Sequence, residues 1–309
     1  MNVDVKLSES FRISTRVIQR HDDWFTRFTI DDFLPQSLDH TLRSTFPNWI
    51  LADLPNDVLN ISVNHDDPSI TPFLASNPEW RDYVANLTSN DFLIELISTF
   101  EPEIRRRYPL FWRPFLSRRV LRPENLYLTV LFSASRRGFR LTPHSDGKFK
   151  VVSLIHYFPE SENKGQHVAG TRFFTPHSHR TRIRELRNHS NWSRGIRRFF
   201  PFELAPSFEY SLSRKRTSGE SVDSTELSEF SEKFNKTQTL EYLPNRLTGF
   251  IKNAWSIHEV DLSEFPEDEL RRAIIVNVRL NRSPSDRLLD QIDKSLSVIK
   301  RRVAALGAR

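Results

Sequence analysis

Apolar and polar positions follow two different rhythms along this chain. Up to about residue 122 the apolar positions recur at helical spacing. Leu38, Leu42 and Phe46 share one stripe of a helix predicted to start near Ser37 and to stop before Pro47, which cannot continue the hydrogen-bond ladder. Ser89 has the chemistry of a helix N-cap, and Phe92, Leu93, Leu96, Ile97, Phe100 and Ile104 follow it at helical intervals. From residue 126 the texture changes to short runs of β-branched and aromatic residues. These runs, at 126–132, 148–158, 171–174, 239–243, 248–253 and 272–280, are separated by turn residues. Short strands with no helices between them predict an antiparallel sandwich or barrel, not a βαβ sheet.

Two segments break the pattern. Residues 176–238 are polar: an Arg/His-rich stretch, an aromatic patch at Phe199, Phe200 and Phe202, then a Ser/Glu/Lys-rich stretch. A structureless loop of that length is unusual inside a domain, so an insertion with some structure of its own is expected, either a lid or a plain surface elaboration. From Ser285 the helical rhythm returns, with Leu289, Ile292, Leu296, Ile299, Val303 and Leu306 spaced alternately by three and four. A terminal helix lying on its own domain is expected; a homodimer contact through 285–309 is the alternative, although this is too few heptads for a coiled coil alone. The expected organisation is an N-terminal helical layer over 1–122, a β core over 123–282 interrupted at 176–238, and a C-terminal helix over 283–309.

Composition removes several function classes. The 309 residues suffice for a large core. Cysteine is absent, which excludes disulfides, thiolate metal sites, iron–sulfur clusters and a cysteine nucleophile. There are 8 glycines and no GxGxxG or GxxxxGK[ST], which argues against Rossmann and P-loop nucleotide chemistry. No apolar run approaches the ~18 residues of a membrane span, and no apolar signal segment opens the sequence, so a cytoplasmic protein with no membrane partner is expected. Lys+Arg number 45 against 39 Asp+Glu, a net charge of +6. The arginine pairs are scattered among acidic residues. A solvated basic surface is therefore favoured over a nucleic-acid surface, which needs a continuous basic stripe with aromatics for a flipped base.

Candidate chemistry concentrates in Leu-Thr-Pro-His144-Ser-Asp146-Gly. On an extended segment, residues two apart share a face, so His144 and Asp146 can reach one ion from adjacent corners. A third ligand is available at His258, at the end of Gly-Phe-Ile-Lys-Asn-Ala-Trp-Ser-Ile-His. Two histidines and a carboxylate on one face of a metal form the facial triad of non-haem Fe(II) oxygenases, which leaves the opposite face open. The last strand then opens with Arg271-Arg272-Ala-Ile-Ile, and a guanidinium there can pair bidentately with a carboxylate.

In this order the elements resemble the Fe(II)/2-oxoglutarate-dependent dioxygenases of the prolyl-hydroxylase type. The residues carrying the resemblance are His144-Ser-Asp146, the strand VVSLIHYF, the glycine-containing GTRFF at 170–174, His258-Glu-Val and Arg271-Arg-Ala-Ile. The segment Asp31-Asp-Phe-Leu-Pro35 looks like the family's approach to its first helix. The resemblance covers about residues 126–281. It implies a mostly β core with flanking helices (α+β), folded as a double-stranded β-helix, a jelly-roll or cupin-like barrel. His144, Asp146 and His258 would ligate Fe(II), and Arg271, with Arg272 as fallback, would bind the distal carboxylate of 2-oxoglutarate. The implied reaction consumes O2, decarboxylates 2-oxoglutarate to succinate and CO2, and hydroxylates an unactivated C–H bond of a small-molecule substrate, an anionic one included. Retention of Asp146 argues against halogenation. The alternatives are a prolyl-type protein side-chain hydroxylase and a metal-binding barrel without turnover. The sequence departs from the family pattern in its long gap between Asp146 and His258, which the 176–238 interruption fills, and in a slightly long gap from His258 to Arg271.

Other residues weigh less. His177 and His179 have a metal-site spacing but sit among Arg180, Arg182 and Arg184, which disfavours a cation. His156 and Tyr157 are adjacent on one strand, so only one can face the cavity. Arg140 shares strand parity with His144 and can meet an anion, although a salt bridge is favoured. Trp255 is expected to pack beneath the strand bearing His258.

Overall fold

In the computed structural model the described residues are 12–106, 121–147, 149–160, 169–178, 224–253 and 255–281. Eight strands make the barrel: β4 (Leu126–Ser135), β5 (Arg140–Ser145), β6 (Lys150–Tyr157), β7 (Thr171–Pro176), β8 (Phe234–Leu240), β9 (Leu247–Ile251), β10 (Ile257–Asp261) and β11 (Arg271–Leu280). Three more precede them: β1 (Gln19–Asp22), β2 (Thr26–Ile30) and β3 (Asn60–Asn64). The larger sheet has the order β1-β2-β9-β6-β11-β4-β3 and the smaller β5-β10-β7-β8. The pairings are antiparallel. Beyond β4 the chain crosses repeatedly between a β9-β6-β11-β4 sheet and the β5-β10-β7-β8 sheet. That strand order is the double-stranded β-helix, or jelly roll.

Side-chain parity then decides what each face does. Along β6, Ser153, Ile155 and Tyr157 point between the sheets, and along β11 so do Ala273, Ile275 and Asn277. The alternate residues Val152 and Leu154, and Ile274, Val276 and Val278, face the other way. Helices cover that outer face: α1 (Gln36–Ser44), α2 (Trp49–Ala52), α3 (Thr71–Ser76), α4 (Pro78–Leu87), α5 (Asn90–Thr99) and α6 (Glu101–Arg106). Leu42 of α1, Trp80, Tyr83 and Leu87 of α4, and Phe92, Leu93, Leu96 and Ile97 of α5 pack there with Phe132, Leu154, Ile274 and Val276. The Ser89 hydroxyl caps α5 by accepting the Phe92 N–H at 3.1 Å. Ten-residue helices are marginal alone. Each buried large apolar side chain contributes roughly 1.5–3 kcal/mol, so packing on the sheet holds these helices more than intrinsic propensity does.

The N-terminal region is less helical than its pattern predicts, because β1, β2 and β3 extend the larger sheet at both edges. The reason is local. The four residues of β1 are all exposed and polar, so they carry no alternation to read. β2 and β3 are only five residues each and sit beside helical patterns. The turn at 31–35 is tied to the barrel by Asn245, in a left-handed conformation at φ 53. Its amide accepts from Leu34 N–H at 2.7 Å and donates to Leu34 O at 2.8 Å. Arg246 makes a two-nitrogen pair with Asp31.

Within 176–238, α7 (Ser224–Lys233) and the first residues of β8 are described. Phe230 of α7 packs with Phe174, Phe234, Trp255 and Ile257 on the outer face of the smaller sheet. The strand expected at 239–243 begins earlier, at Phe234; its middle residues are polar and exposed, which hides the strand from a hydrophobic pattern. Residues 179–223 of the expected insertion and the helix expected from 285 lie outside the described residues. Among the described residues no helix is long and apolar enough to cross a membrane.

Candidate metal centre

Two neighbouring strands of the smaller sheet bring the histidines together. His258 on β10 stands opposite His144 on β5, and Val260 stands opposite Leu141. Three residue steps on β5 thus match two on β10, which is a β-bulge. The extra residue lies in the Thr142-Pro143 stretch, and a proline without an N–H suits such an irregularity. The bulge re-aims side chains. It lets His144 and His258 face inward while Arg140 leaves their parity. Arg140 instead faces Asp261 with an N···O distance of 3.6 Å and a 43% exposed side chain, so the sequence parity that aimed it at the cavity does not hold.

Asp146 follows one residue after the end of β5. One ligand atom each from His144, Asp146 and His258 lies within 4.8 Å of the other two, and all three residues are buried. The imidazole rings are 4.4 Å apart at their centroids. Each ring is oriented by its own backbone: His144 Nδ1 is 2.8 Å from Thr142 O and His258 Nδ1 is 3.0 Å from Ser256 O. A carbonyl only accepts, so both Nδ1 atoms carry a proton, and in the neutral ring Nε2 then holds the lone pair. That tautomer is the one a metal requires. Phe250 and Phe173 wall His258 at 4.7 and 5.9 Å.

The charges suit a divalent cation. Burial, with His144 beside it, brings His258 down to about 3, and the Asp146 carboxylate and Ser256 carbonyl only partly offset this. His258 is therefore a neutral imidazole at ordinary pH. Burial disfavours the Asp146 anion, but Lys150, His258 and His144 outweigh it and hold the carboxyl well below its ordinary range. Lys150 Nζ lies 2.7 Å from Asp146 Oδ1. The neutral His258 imidazole, the His144 imidazole and one anionic carboxylate form a donor set that fits Fe(II) in a facial arrangement.

The adjacent arginines separate. Arg271 is on the inner face with Ala273 and Ile275. Its Nε donates to Ala169 O at 2.6 Å, and its guanidinium lies 5.2 Å from the Tyr157 ring centroid and 6.0 Å from that of Tyr242. Among the described residues neither terminal nitrogen of Arg271 has a hydrogen-bond or ion-pair partner. Tyr157 bonds Thr171 Oγ1 at 2.9 Å. Burial pushes the Tyr242 hydroxyl up to about 12, so it stays neutral beside the two arginines. Arg272 is engaged on the helix side: Nε donates to Phe158 O at 2.8 Å, and Nη1 lies 3.4 Å from Asn48 Oδ1 and 3.4 Å from Glu160.

Of the adjacent pair on β6, Tyr157 faces inward and His156 outward. His156 Nδ1 is 2.7 Å from the Tyr83 hydroxyl of α4. His177 binds the backbone of α7 through Ser231 O at 3.0 Å and takes no part in the cluster. His179 lies outside the described residues. Trp255 packs on the outer face of the strand that carries His258 inward. Sequence reasoning missed Lys150, Ser153 and Asn277, which contact Asp146 directly or through one another. Their signal was parity, since Ser153 and Asn277 are polar residues on the inner face of otherwise apolar strands.

No protein-family model matches the chain, and no curated protein matches it. Solved structures of similar shape exist. A Pseudomonas putida prolyl-4-hydroxylase aligns over 89% of this chain and 99% of its own, at 12% identity and a TM-score of 0.34. EvdO2 from Micromonospora carbonacea var. aurantiaca, complexed with 2-oxoglutarate, aligns over 87% and 95%, at 11% identity and a TM-score of 0.39. HygX from Streptomyces hygroscopicus, with nickel and 2-oxoglutarate bound, aligns over 91% and 87%, at 10% identity and a TM-score of 0.35. The fold assignment for this chain rests on its own strand order, not on these alignments.

Proposed function

We propose that the protein is a non-haem Fe(II)- and 2-oxoglutarate-dependent oxygenase that hydroxylates an unactivated C–H bond of a small molecule. The observation that carries the proposal is the buried convergence of His144, Asp146 and His258. Each histidine is oriented there by a backbone carbonyl at its Nδ1, Thr142 O for His144 and Ser256 O for His258. Held by these three residues, Fe(II) would supply the oxygen activation that no side chain offers. The reaction balances as substrate, O2 and 2-oxoglutarate giving hydroxylated substrate, succinate and CO2. One oxygen atom enters the hydroxyl and the other the new carboxylate of succinate, and the 2-oxo acid supplies the two electrons.

The chain's own residues have separate tasks. Thr142 O and Ser256 O fix the imidazole planes. Arg271 presents an unused guanidinium fork on the inner face, suited to the distal carboxylate of 2-oxoglutarate. Stacking on Tyr157 and the bond to Ala169 O hold that fork in place. Ile155, Val260, Leu262 and Phe265 keep water from the interior. Because the ligands are buried, the reacting carbon must enter the barrel, which favours a small molecule over a protein side chain.

The test is anaerobic. Fe(II) and then 2-oxoglutarate are added to metal-free protein, and the weak visible charge-transfer band of the chelate is followed, with His144→Ala as control. A band in the parent that the variant lacks supports cofactor and site together. Iron binding with no band would leave a metal-binding barrel without this chemistry.

A further inference from the structure

We propose that Lys150, Ser153 and Asn277 are positioning residues that together fix the direction of the Asp146 carboxylate toward the two imidazoles. This rests on the metal reading above and concerns how the site is held.

Asp146 lies past the end of β5, so no strand ladder orients it. Both of its oxygens are instead held by side chains. Oδ1 receives Lys150 Nζ at 2.7 Å, and Oδ2 accepts from Ser153 Oγ at 3.1 Å. Lys150 is placed by the turn that follows Asp146, where its N–H donates to Gly147 O at 3.0 Å. Ser153 and Asn277 are directly opposite each other on β6 and β11, two interior strands of the larger sheet. The carboxylate is thus gripped from its own loop and from the facing sheet.

The Asn277 amide completes the argument. Ser153 Oγ is 3.1 Å from both Asp146 Oδ2 and Asn277 Oδ1, two acceptors for a single hydroxyl proton. Meanwhile Asn277 Nδ2 is buried with no partner among the described residues. The two ends of an amide are nearly the same size, and the hydrogen-bond network decides between them. Exchanging them removes the conflict. Asn277 Nδ2 then donates to Ser153 Oγ, and the Ser153 proton goes wholly to Asp146 Oδ2. The unpartnered atom becomes a carbonyl oxygen, which is the better tolerated of the two. The result is a directed chain from Asn277 through Ser153 to Asp146, with Lys150 closing the other side. Outer partners of metal-binding side chains act in this way, by fixing orientation and tuning donor strength.

The test uses Co(II), whose visible d–d absorption reports both affinity and coordination geometry, on the metal-free full chain. The parent, His144→Ala, Ser153→Ala, Ser153→Thr, Asn277→Leu, Lys150→Met and Lys150→Arg are titrated. Melting of each metal-free variant serves as the folding control, and Asn277→Ser replaces Asn277→Leu if the latter does not fold. The expected result is that Ser153→Ala and Asn277→Leu weaken Co(II) by about 10- to 100-fold and alter the band shape. Ser153→Thr, which keeps the hydroxyl, recovers both. Lys150→Met changes the band shape and Lys150→Arg preserves it. If the parent binds Co(II) through His144 but the variants match it in affinity and spectrum, the positioning network is wrong while the metal site stands. A parent that binds no Co(II) would remove the metal site and the network together.

Discussion

Arg271 and Arg272 are neighbours on β11 and face opposite sides of its sheet. Arg271 lies between the sheets over Tyr157, with its terminal nitrogens unpartnered among the described residues, whereas Arg272 crosses to the helices and binds Phe158 O, Asn48 and Glu160. One residue of register thus separates the arginine proposed to bind 2-oxoglutarate from a structural one.

The two should therefore fail differently. Arg271→Ala is expected to weaken 2-oxoglutarate by roughly 10- to 100-fold, from the ~1.5–3 kcal/mol of hydrogen bonds to a charged group, and also to lower stability, because Ala169 O loses its Nε donor. Arg272→Ala is expected to leave 2-oxoglutarate affinity alone and to lower stability by roughly 1–3 kcal/mol, because Phe158 O loses its donor. Calorimetric titration of the Fe(II)- or Ni(II)-loaded protein and denaturant unfolding separate the two effects. Equal losses of affinity in both variants would reverse the assignment.

Metal should stabilise the fold measurably. A ligand at about 100 times its dissociation constant adds about 2.7 kcal/mol, which for a chain of this size corresponds to a rise of about 4 °C in Tm. Saturating Ni(II) is expected to give such a rise, a chelator to reverse it, and His258→Ala to abolish it while leaving the metal-free Tm nearly intact. A rise that persists in His258→Ala would place the metal elsewhere.

Much of this was legible because the relevant signals are local. The spacing of Phe92, Leu93, Leu96 and Ile97 predicts the buried stripe of α5, and Ser89 its cap. The two-residue step from His144 to Asp146 and the alternation in Arg271-Arg272-Ala273 carry face information directly. Three features were not legible, for physical reasons. The bulge between β5 and β10 depends on a pairing between residues more than a hundred apart, so it could not correct the parity of Arg140. β1 has no apolar residue to betray it. The contacts of Ser153 and Asn277 with Asp146 exist only once two sheets face each other.

Gly170 shows how a backbone position can reach the site. A Cβ there would lie 2.2 Å from Leu240 O, a backbone atom that cannot swing away. Leu240 pairs with Thr171 across β7 and β8, and Ala169, on the other side of Gly170, supplies the carbonyl that Arg271 Nε binds. Gly170→Ala should therefore cost roughly 1–3 kcal/mol as an overpacked contact. It should also weaken 2-oxoglutarate binding, although the residue touches no ligand. Gly138→Ala is the contrasting control: it suffers backbone strain at φ +84 but has only a 3.8 Å contact with Leu59. That variant should lose stability without losing affinity. A Gly170→Ala protein with parental stability would mean that β8 gives way easily.

His156 predicts how the fold responds to acid. It is completely buried beneath the helices, 2.7 Å from the Tyr83 hydroxyl, and burial brings it down to about 3 from an ordinary value near 6.5. Between those two values the unfolded chain takes up a proton that the folded one refuses. The unfolded state therefore binds more protons, and stability falls as the pH drops through that window, by at most about 1.4 kcal/mol per unit for one group. From pH 7.5 to pH 5 this amounts to about 2 kcal/mol. His258, also brought down to about 3 by burial, adds a second slope of the same sign in the metal-free protein. Replacing His156 by glutamine keeps a polar partner for Tyr83 and removes one of the two. Urea unfolding of metal-free parent and His156→Gln at pH 7.5 and pH 5 should therefore show the variant losing about 2 kcal/mol less over that range, whatever its stability at pH 7.5. Parallel losses in the two proteins would show that His156 takes up its proton without unfolding, through an opening of the helical layer over Tyr83.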